Sequence, residues 1–392
     1  MNARATTPHA LTGIAPGPWF RLLAQAGTIE RSRLADVGKI SLRSLQAVPL
    51  ALREAGRCAA ELREHRVDPS PLFIVGHFRS GTTLLHDLLA RDERFTYPTT
   101  FQVFFPRVFH TAKALLKPAF ERSLPPHRHG DHVPLWVDGP HEDEFAMGQL
   151  SPLAFYHALY FPKRARELFA RSVFLEDPAD RAAWKQLYTQ FLAKVSLEGG
   201  GRSLLVKNPA HTGRVPLLLE SFPGARFVHI YRNPFGVYLS SSSFFRRFVE
   251  TYAFQRIDDR ELRELVLHVY QQLMTRWFDE LDRIPSGQLT HVCYEDLVTD
   301  PVRTVERTYA ALGLATTDAL REASRQAAAA QATFKTNTHR LDSSTRHAVG
   351  ERWRFAFDQL GYDPDGSHTS GPSRRGLAPS SVLPAAELPL HR

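Results

Sequence analysis

The stretch Pro71-Leu-Phe-Ile-Val-Gly76-His-Phe-Arg79-Ser80-Gly81-Thr82-Thr83-Leu84-Leu85 joins a short apolar run to a glycine-bounded turn and a leucine-rich pattern. Leu72 to Val75 reads as a strand, and Leu84, Leu85, Leu88 and Leu89 recur at helical spacing. A strand, turn and helix in this order aim backbone N–H groups and the positive end of a helix dipole at a bound anion. The frame is that of the nucleotide loop G-x-x-x-x-G-K-[ST], whose lysine reaches the β/γ-phosphates and whose hydroxyl holds Mg²⁺. Thr82 stands where that lysine belongs, and Arg79 stands inside the loop. The spacing predicts a site for phosphate-like groups that is not a standard nucleotide triphosphatase.

Three further apolar runs end in residues of the same kind of chemistry. Ser203–Val206 leads into Lys207-Asn208-Pro209, Arg226–Tyr231 into Arg232-Asn233-Pro234 with Ser240 following, and Leu289–Tyr294 into Glu295-Asp296-Leu297. Ligands of open α/β sheets sit beyond the carboxyl ends of the strands, so Lys207, Arg232 and Tyr294 are expected to converge on the loop. A Mg²⁺-dependent phosphoryl transferase wants a carboxylate at a strand end and a lysine in the loop. Here the run Arg226–Tyr231 ends in arginine instead, which suits direct binding of a polyanion. Asp296 reads as a cap for the helix that follows.

These residues must be held by a scaffold, and the chain is long enough for a large α/β domain with additions. Helical patterns separate the four strands, among them Leu262, Leu265, Val266, Val269, Leu273, Trp277 and Leu281. That alternation implies a central parallel sheet flanked by helices. Residues 1–69 read as a helical lead-in, 70–364 as the main domain and 365–392, without periodicity, as a disordered tail. Residues 92–200 form an insertion, rich in aromatics and prolines, suited to a substrate lid. No run reaches membrane-spanning length, and the N-terminus lacks a signal-peptide hydrophobic region. Cys58 and Cys293 lie far apart, which excludes a disulfide framework or zinc ribbon and makes a reducing cytoplasm the default. The net charge of +8 favours anionic partners: nucleic acid, or a multiply charged nucleotide in a deep pocket.

Arg79-Ser-Gly-Thr-Thr83, Lys207-Asn-Pro209, the run Phe222 to Pro234 with Ser240, and Tyr294-Glu-Asp-Leu297 followed by Asp300-Pro301 together resemble the sulfotransferase superfamily. The resemblance covers residues 70–362 and is closest to the bacterial branch related to tyrosylprotein sulfotransferases. It implies a P-loop-like sulfotransferase fold and 3′-phosphoadenosine 5′-phosphosulfate (PAPS) as donor, with no metal required. It further implies that Arg79, Ser80, Gly81, Thr82 and Thr83 grip the 5′-phosphosulfate, and that Arg232 and Ser240 hold the 3′-phosphate. Tyr294 would hold the nucleotide end, Lys207 would sit near the transferring group, and Phe334–His339 would form a C-terminal cofactor segment.

In-line transfer to a hydroxyl also needs a base. The tyrosylprotein relatives supply a glutamate one helix after the loop, but Tyr97–Gln102 carries no acid. Pro140-His141-Glu142-Asp143-Glu144-Phe145 is the substitute, with Glu142 first, Glu144 second and His141 third. Helical spacing would put Glu142 and Phe145 on one face, and acids opening a helix also complement its dipole. His127-Arg-His129-Gly-Asp131-His132 matches no zinc spacing and reads as a solvated loop. Phe101, Phe104, Phe105, Phe109 and Trp136 are either core or the lining of a pocket for a lipid or aromatic acceptor. The acceptor is read as a small-molecule, lipid or carbohydrate hydroxyl, with nucleic acid disfavoured. A P-loop phosphotransferase and a non-catalytic nucleotide- or nucleic-acid-binding protein are the other function classes this sequence leaves open.

Overall fold

A computed structural model describes residues 9–127, 133–331 and 341–365. The segment Phe334–His339, residues 128–132 of the histidine-rich stretch and the tail from 366 onward lie outside the described residues. Five parallel strands form one sheet: β1 (Leu72–Val75), β2 (Phe95–Thr96), β3 (Ser203–Lys207), β4 (Arg226–Tyr231) and β5 (Leu289–Cys293). Their spatial order is β2-β3-β1-β4-β5. The chain moves outward to one edge through β2, returns through β3 and crosses to β4. The sheet therefore reverses direction around β1, the place where such folds leave a crevice at the strands' carboxyl ends.

The sequence pattern predicts four strands, and the fifth is β2. Two residues are too few to show alternation or an apolar run; β2 is held by its pairing of Phe95 with Ser203 and Thr96 with Leu204. The insertion consequently begins after Thr96 rather than at residue 92.

Alternation along β1 builds the two layers. Phe73 and Val75 face one apolar core with Leu204, Val206 and Phe227, while Leu72 and Ile74 face a second with Leu205, Val228 and Ile230. The larger core runs on into the insertion and into the N-terminal helices, where Leu11, Ile14, Trp19 and Leu22 are buried in it. The lead-in thus shares its core with the main domain. The stripe from Leu262 to Trp277 lies on the long helix Asp259–Glu280 as its spacing predicts, with Leu281 just past its end. Asp258 and Glu261 cap that helix reciprocally. No helix among the described residues is long and apolar enough to cross a membrane.

Candidate active site

The loop after β1 is bent by three residues in the left-handed region: Gly76 at φ 136°, Arg79 at 71° and Gly81 at 99°. A Cβ on Gly76 would lie 2.1 Å from the Ile230 carbonyl oxygen, and one on Gly81 would lie 2.4 Å from the Tyr294 ring. Both positions therefore require glycine, for conformation and for space. Arg79 has no such licence; a non-glycine residue held at positive φ marks a place where the surroundings over-determine the backbone. The helix Thr82–Leu89 starts directly after Gly81, so its N-terminus lies at the end of this loop.

Four of the donor-side residues singled out by sequence meet here. Arg79 Nε donates to Ser240 Oγ at 3.0 Å. The Arg232 guanidinium lies 4.4 Å from the centre of the Tyr294 ring, and its Nη1 reaches the Arg79 carbonyl at 3.5 Å. Asn233 fixes the start of the helix Pro234–Tyr252 by accepting from the Phe235 N–H, which sets Ser240 one and a half turns along it. Ser80 is different. Its hydroxyl donates inward to the carbonyls of His77 (2.7 Å) and Ile230 (3.1 Å), and the side chain is buried. Ser80 holds the loop to β4 and does not offer its hydroxyl to a ligand. Thr82 is buried at the first helical position and Thr83 half-buried beside it.

The acidic cluster packs against the segment that follows β3, and each acid has its own partner. Lys207 Nζ donates to Glu142 Oε1 at 2.6 Å, and the Tyr156 hydroxyl donates to Glu142 Oε2 at 2.6 Å. Asn208 Nδ2 donates to Asp143 Oδ1 and Glu144 Oε2, each at 2.7 Å. Arg214 forms a bidentate pair with Glu144 at 2.7 and 3.0 Å and also donates to the Ser172 carbonyl. His211 Nε2 lies 3.0 Å from Asp143 Oδ2 and 2.7 Å from the Tyr188 hydroxyl. Arg214 Nη1 lies 3.3 Å from His211 Nδ1.

The two ranked glutamates therefore part company. Glu144 is fully buried; burial alone would raise its pKa, but the Arg214 charge and hydrogen bonds from Arg214, Asn208 and the Phe155 N–H bring it down to about 2. A carboxylate so saturated is a structural anchor and a poor proton acceptor. Glu142 precedes the helix Glu144–Leu150 rather than lying on it, so the predicted shared face with Phe145 does not form. Its carboxylate accepts from Lys207 and Tyr156. His86, on the loop helix, is buried and its pKa lies well below the usual histidine value, through burial first and then the nearby Lys207 and His141. Asp296 sits within the helix Tyr294–Thr299 and is not its cap; Asp300 caps the next helix, accepting from the Arg303 N–H.

The family model described as Sulfotransferase family matches residues 71–318. The chain belongs to the sulfotransferase family. It is 34% identical over 312 residues, 78% of both chains, to the omega-hydroxy-beta-dihydromenaquinone-9 sulfotransferase Stf3 of Mycobacterium bovis and to the Mycobacterium tuberculosis protein of the same name. Its fold is shared with sulfotransferase STF9 from Mycobacterium avium, at TM-score 0.68 and 19% identity over 91% of this chain and 98% of that one. STF1 from M. tuberculosis gives TM-score 0.66 at 19% identity, over 90% and 96%. In this sulfotransferase the structure brings together Arg79, Arg232, Ser240 and Tyr294, and joins Lys207 and Glu142 to Tyr156, Asp143, His211 and Arg214, which the sequence did not single out. The signal available for Arg214 and His211 was the spacing Lys207-x₃-His211-x₂-Arg214, which sets three proton-bearing side chains opposite three consecutive acids.

Proposed function

We propose that this enzyme moves a sulfuryl group from 3′-phosphoadenosine 5′-phosphosulfate to a hydroxyl of a lipid-class acceptor by in-line displacement. The observation that carries the reading is the Lys207–Glu142 pair at the carboxyl end of β3, one strand away from the anion-binding turn after β1. In the transfer, the acceptor oxygen forms a bond to sulfur while the bond from sulfur to the bridging oxygen breaks. Glu142 takes the acceptor's proton, and adenosine 3′,5′-bisphosphate leaves with the electron pair. Lys207 supplies positive charge where the bridging oxygen gains negative charge, in a site from which water is largely excluded. Arg79, the loop N–H groups and the N-terminus of the loop helix face the phosphosulfate; Arg232 and Ser240 serve the 3′-phosphate, with Tyr294 as the platform behind Arg232. The lipid class of the acceptor draws on the named substrate of the 34%-identical relative and on the aromatic surroundings of Glu142.

A transfer assay with sulfur-labelled donor and a lipid extract tests this directly, the expected result being a labelled lipid product that depends on enzyme. Lys207→Ala is expected to lower turnover by about 10²–10³-fold, the usual cost of removing one group that stabilises developing charge. Near-normal turnover in that variant would remove Lys207 from the chemistry. Arg232→Ala is expected to weaken adenosine 3′,5′-bisphosphate binding by about ten- to a hundredfold, the worth of hydrogen bonds to a charged group. Calorimetry with adenosine 5′-phosphate provides the contrast: an equal loss for both nucleotides would show that Arg232 does not read the 3′-phosphate.

A further inference from the structure

The helix Leu34–Gln46 buries Ile40 and Ser44 on its inner side, yet Leu34, Leu42 and Leu45 stand more than half exposed on it. A surface helix ordinarily turns polar residues outward. Leu52 on the helix Val48–Glu64 and Leu115 on the helix Lys113–Ser123 are exposed further still. Among the described residues no other leucine is exposed. Leucines scattered singly over a surface are ordinary, but all five of these lie on three helices that border one groove.

That groove encloses about 1390 Å³, more than the roughly 300–1,000 Å³ typical of small-molecule pockets. Ile40, Ala47 and Leu50 line it from the N-terminal helices, and Leu116, Ala119 and Phe120 from the helix Lys113–Ser123. Arg107 belongs to the same lining, and its Nη1 is buried without a hydrogen bond. Buried polar atoms are overwhelmingly paired, so this open donor points to a ligand oxygen. The surroundings are basic. Residues 31–57 carry Arg31, Arg33, Lys39, Arg43, Arg53 and Arg57 against Asp36 and Glu54. Glu54 is buried, where it accepts from Lys194 and from the N–H groups of His110 and Thr111, so it offsets none of the outer charge. Asp36 lies 3.7 Å from Arg33 and 4.0 Å from Lys39, and Glu250 is the other acid on the groove.

We propose that this face seats the enzyme on the surface of an anionic lipid bilayer. The five leucines enter the boundary between headgroups and acyl chains, and Lys39 and Arg43 meet lipid phosphates. One lipid's chain lies in the groove, with its ester carbonyl accepting from Arg107. Apolar area and cations on one face are the two attractions that hold an interfacial helix to a bilayer. A second copy of the chain fits this face less well, because a two-fold contact would set its cations against their own kind. With no described helix able to span, the attachment is to one leaflet. The docking is independent of the sulfotransfer reading and holds whatever the acceptor is.

Flotation of the full chain with lipid vesicles tests this, with far-UV circular dichroism to show that each variant is folded. Wild-type protein is expected to bind vesicles of phosphatidylcholine mixed with phosphatidylglycerol about tenfold more tightly than vesicles of phosphatidylcholine alone, and to be released by salt. Leu42→Ser with Leu45→Ser is expected to weaken binding to the mixed vesicles about tenfold, through apolar area withdrawn from the interface. Lys39→Gln with Arg43→Gln is expected to remove most of the preference for the anionic lipid. Leu116→Trp with Ala119→Trp, which fills the groove, is expected to weaken binding about threefold or more, since the lipid chain loses its seat. Wild-type affinity in the leucine pair or in the groove-filled pair would overturn the proposal, as would equal binding of the wild type to both vesicles. Light scattering supplies the remaining outcome: a dimer dispersed by the leucine pair, with no vesicle binding by wild type, would give the face to a second copy and overturn the proposal.

Discussion

Glu142→Gln lowers turnover by about 10²–10⁴-fold, the range expected when a positioned general base is removed. The amide preserves volume; its oxygen can still accept from Lys207 while its NH2 turns to the Tyr156 hydroxyl oxygen, so the change removes the proton acceptor while keeping the packing. Nucleotide binding, measured in parallel, is expected to stay near wild type because the proposed donor contacts, Arg79, Arg232 and Ser240, are untouched. The acid limb of the kcat/KM profile flattens in the variant, and that is the deciding readout. A wild-type pH profile with Glu142→Gln would assign the base elsewhere, whatever the size of the rate loss. Combined with Lys207→Ala, the effect should fall well short of the product of the two single losses, since the residues form one unit.

Arg214→Leu destabilises the fold by about 3–5 kcal/mol, the cost of leaving a buried carboxylate without its cation. Arg214 and Glu144 both have side chains at 0% exposure, so no solvent is available to replace the lost partner. The loss includes the contact of the guanidinium with the Trp184 ring, 4.8 Å away. Replacing both partners by leucine should recover much of the loss, but not all, because Asn208 and the Phe155 N–H also donate to Glu144. Chemical denaturation of the two variants checks this; equal midpoints for Arg214→Leu and wild type would mean that the pair contributes nothing. The acid dependence has a definite sign. The folded-state pKa of Glu144 is depressed to about 2 from an ordinary 4.5, so its stabilisation is complete above 4.5 and is lost as pH falls toward 2. The stability gap between wild type and Glu144→Gln should close over that window.

The turn after β1 and the side chains gathered around it were legible because their pattern is local. A turn that needs glycine at 76 and 81, and cations at the ends of strands, leave marks within a few residues of one another. Glu142 was reachable by elimination, as an acid in the insertion once Tyr97–Gln102 offered none. Which of its neighbours performs chemistry was not legible, since Glu142, Asp143 and Glu144 differ only in what they meet across some 65 residues of chain. Ser80 shows the same limit: a hydroxyl in an anion loop looks like a ligand, and only the positions of the His77 and Ile230 carbonyls show it turned inward. The strand β2 was invisible for a related reason, being defined by its partner rather than by its own residues.

The interlock of Glu142, Asp143 and Glu144 with Lys207, Asn208, His211 and Arg214 also bears on how such enzymes diversify. An insertion fastened to the catalytic strand through three consecutive acids cannot be exchanged between relatives as a cassette unless the recipient carries the matching basic register. Chimeras cut between residues 142 and 214 should fail to fold, because the cut parts the three acids from the side chains that hold them.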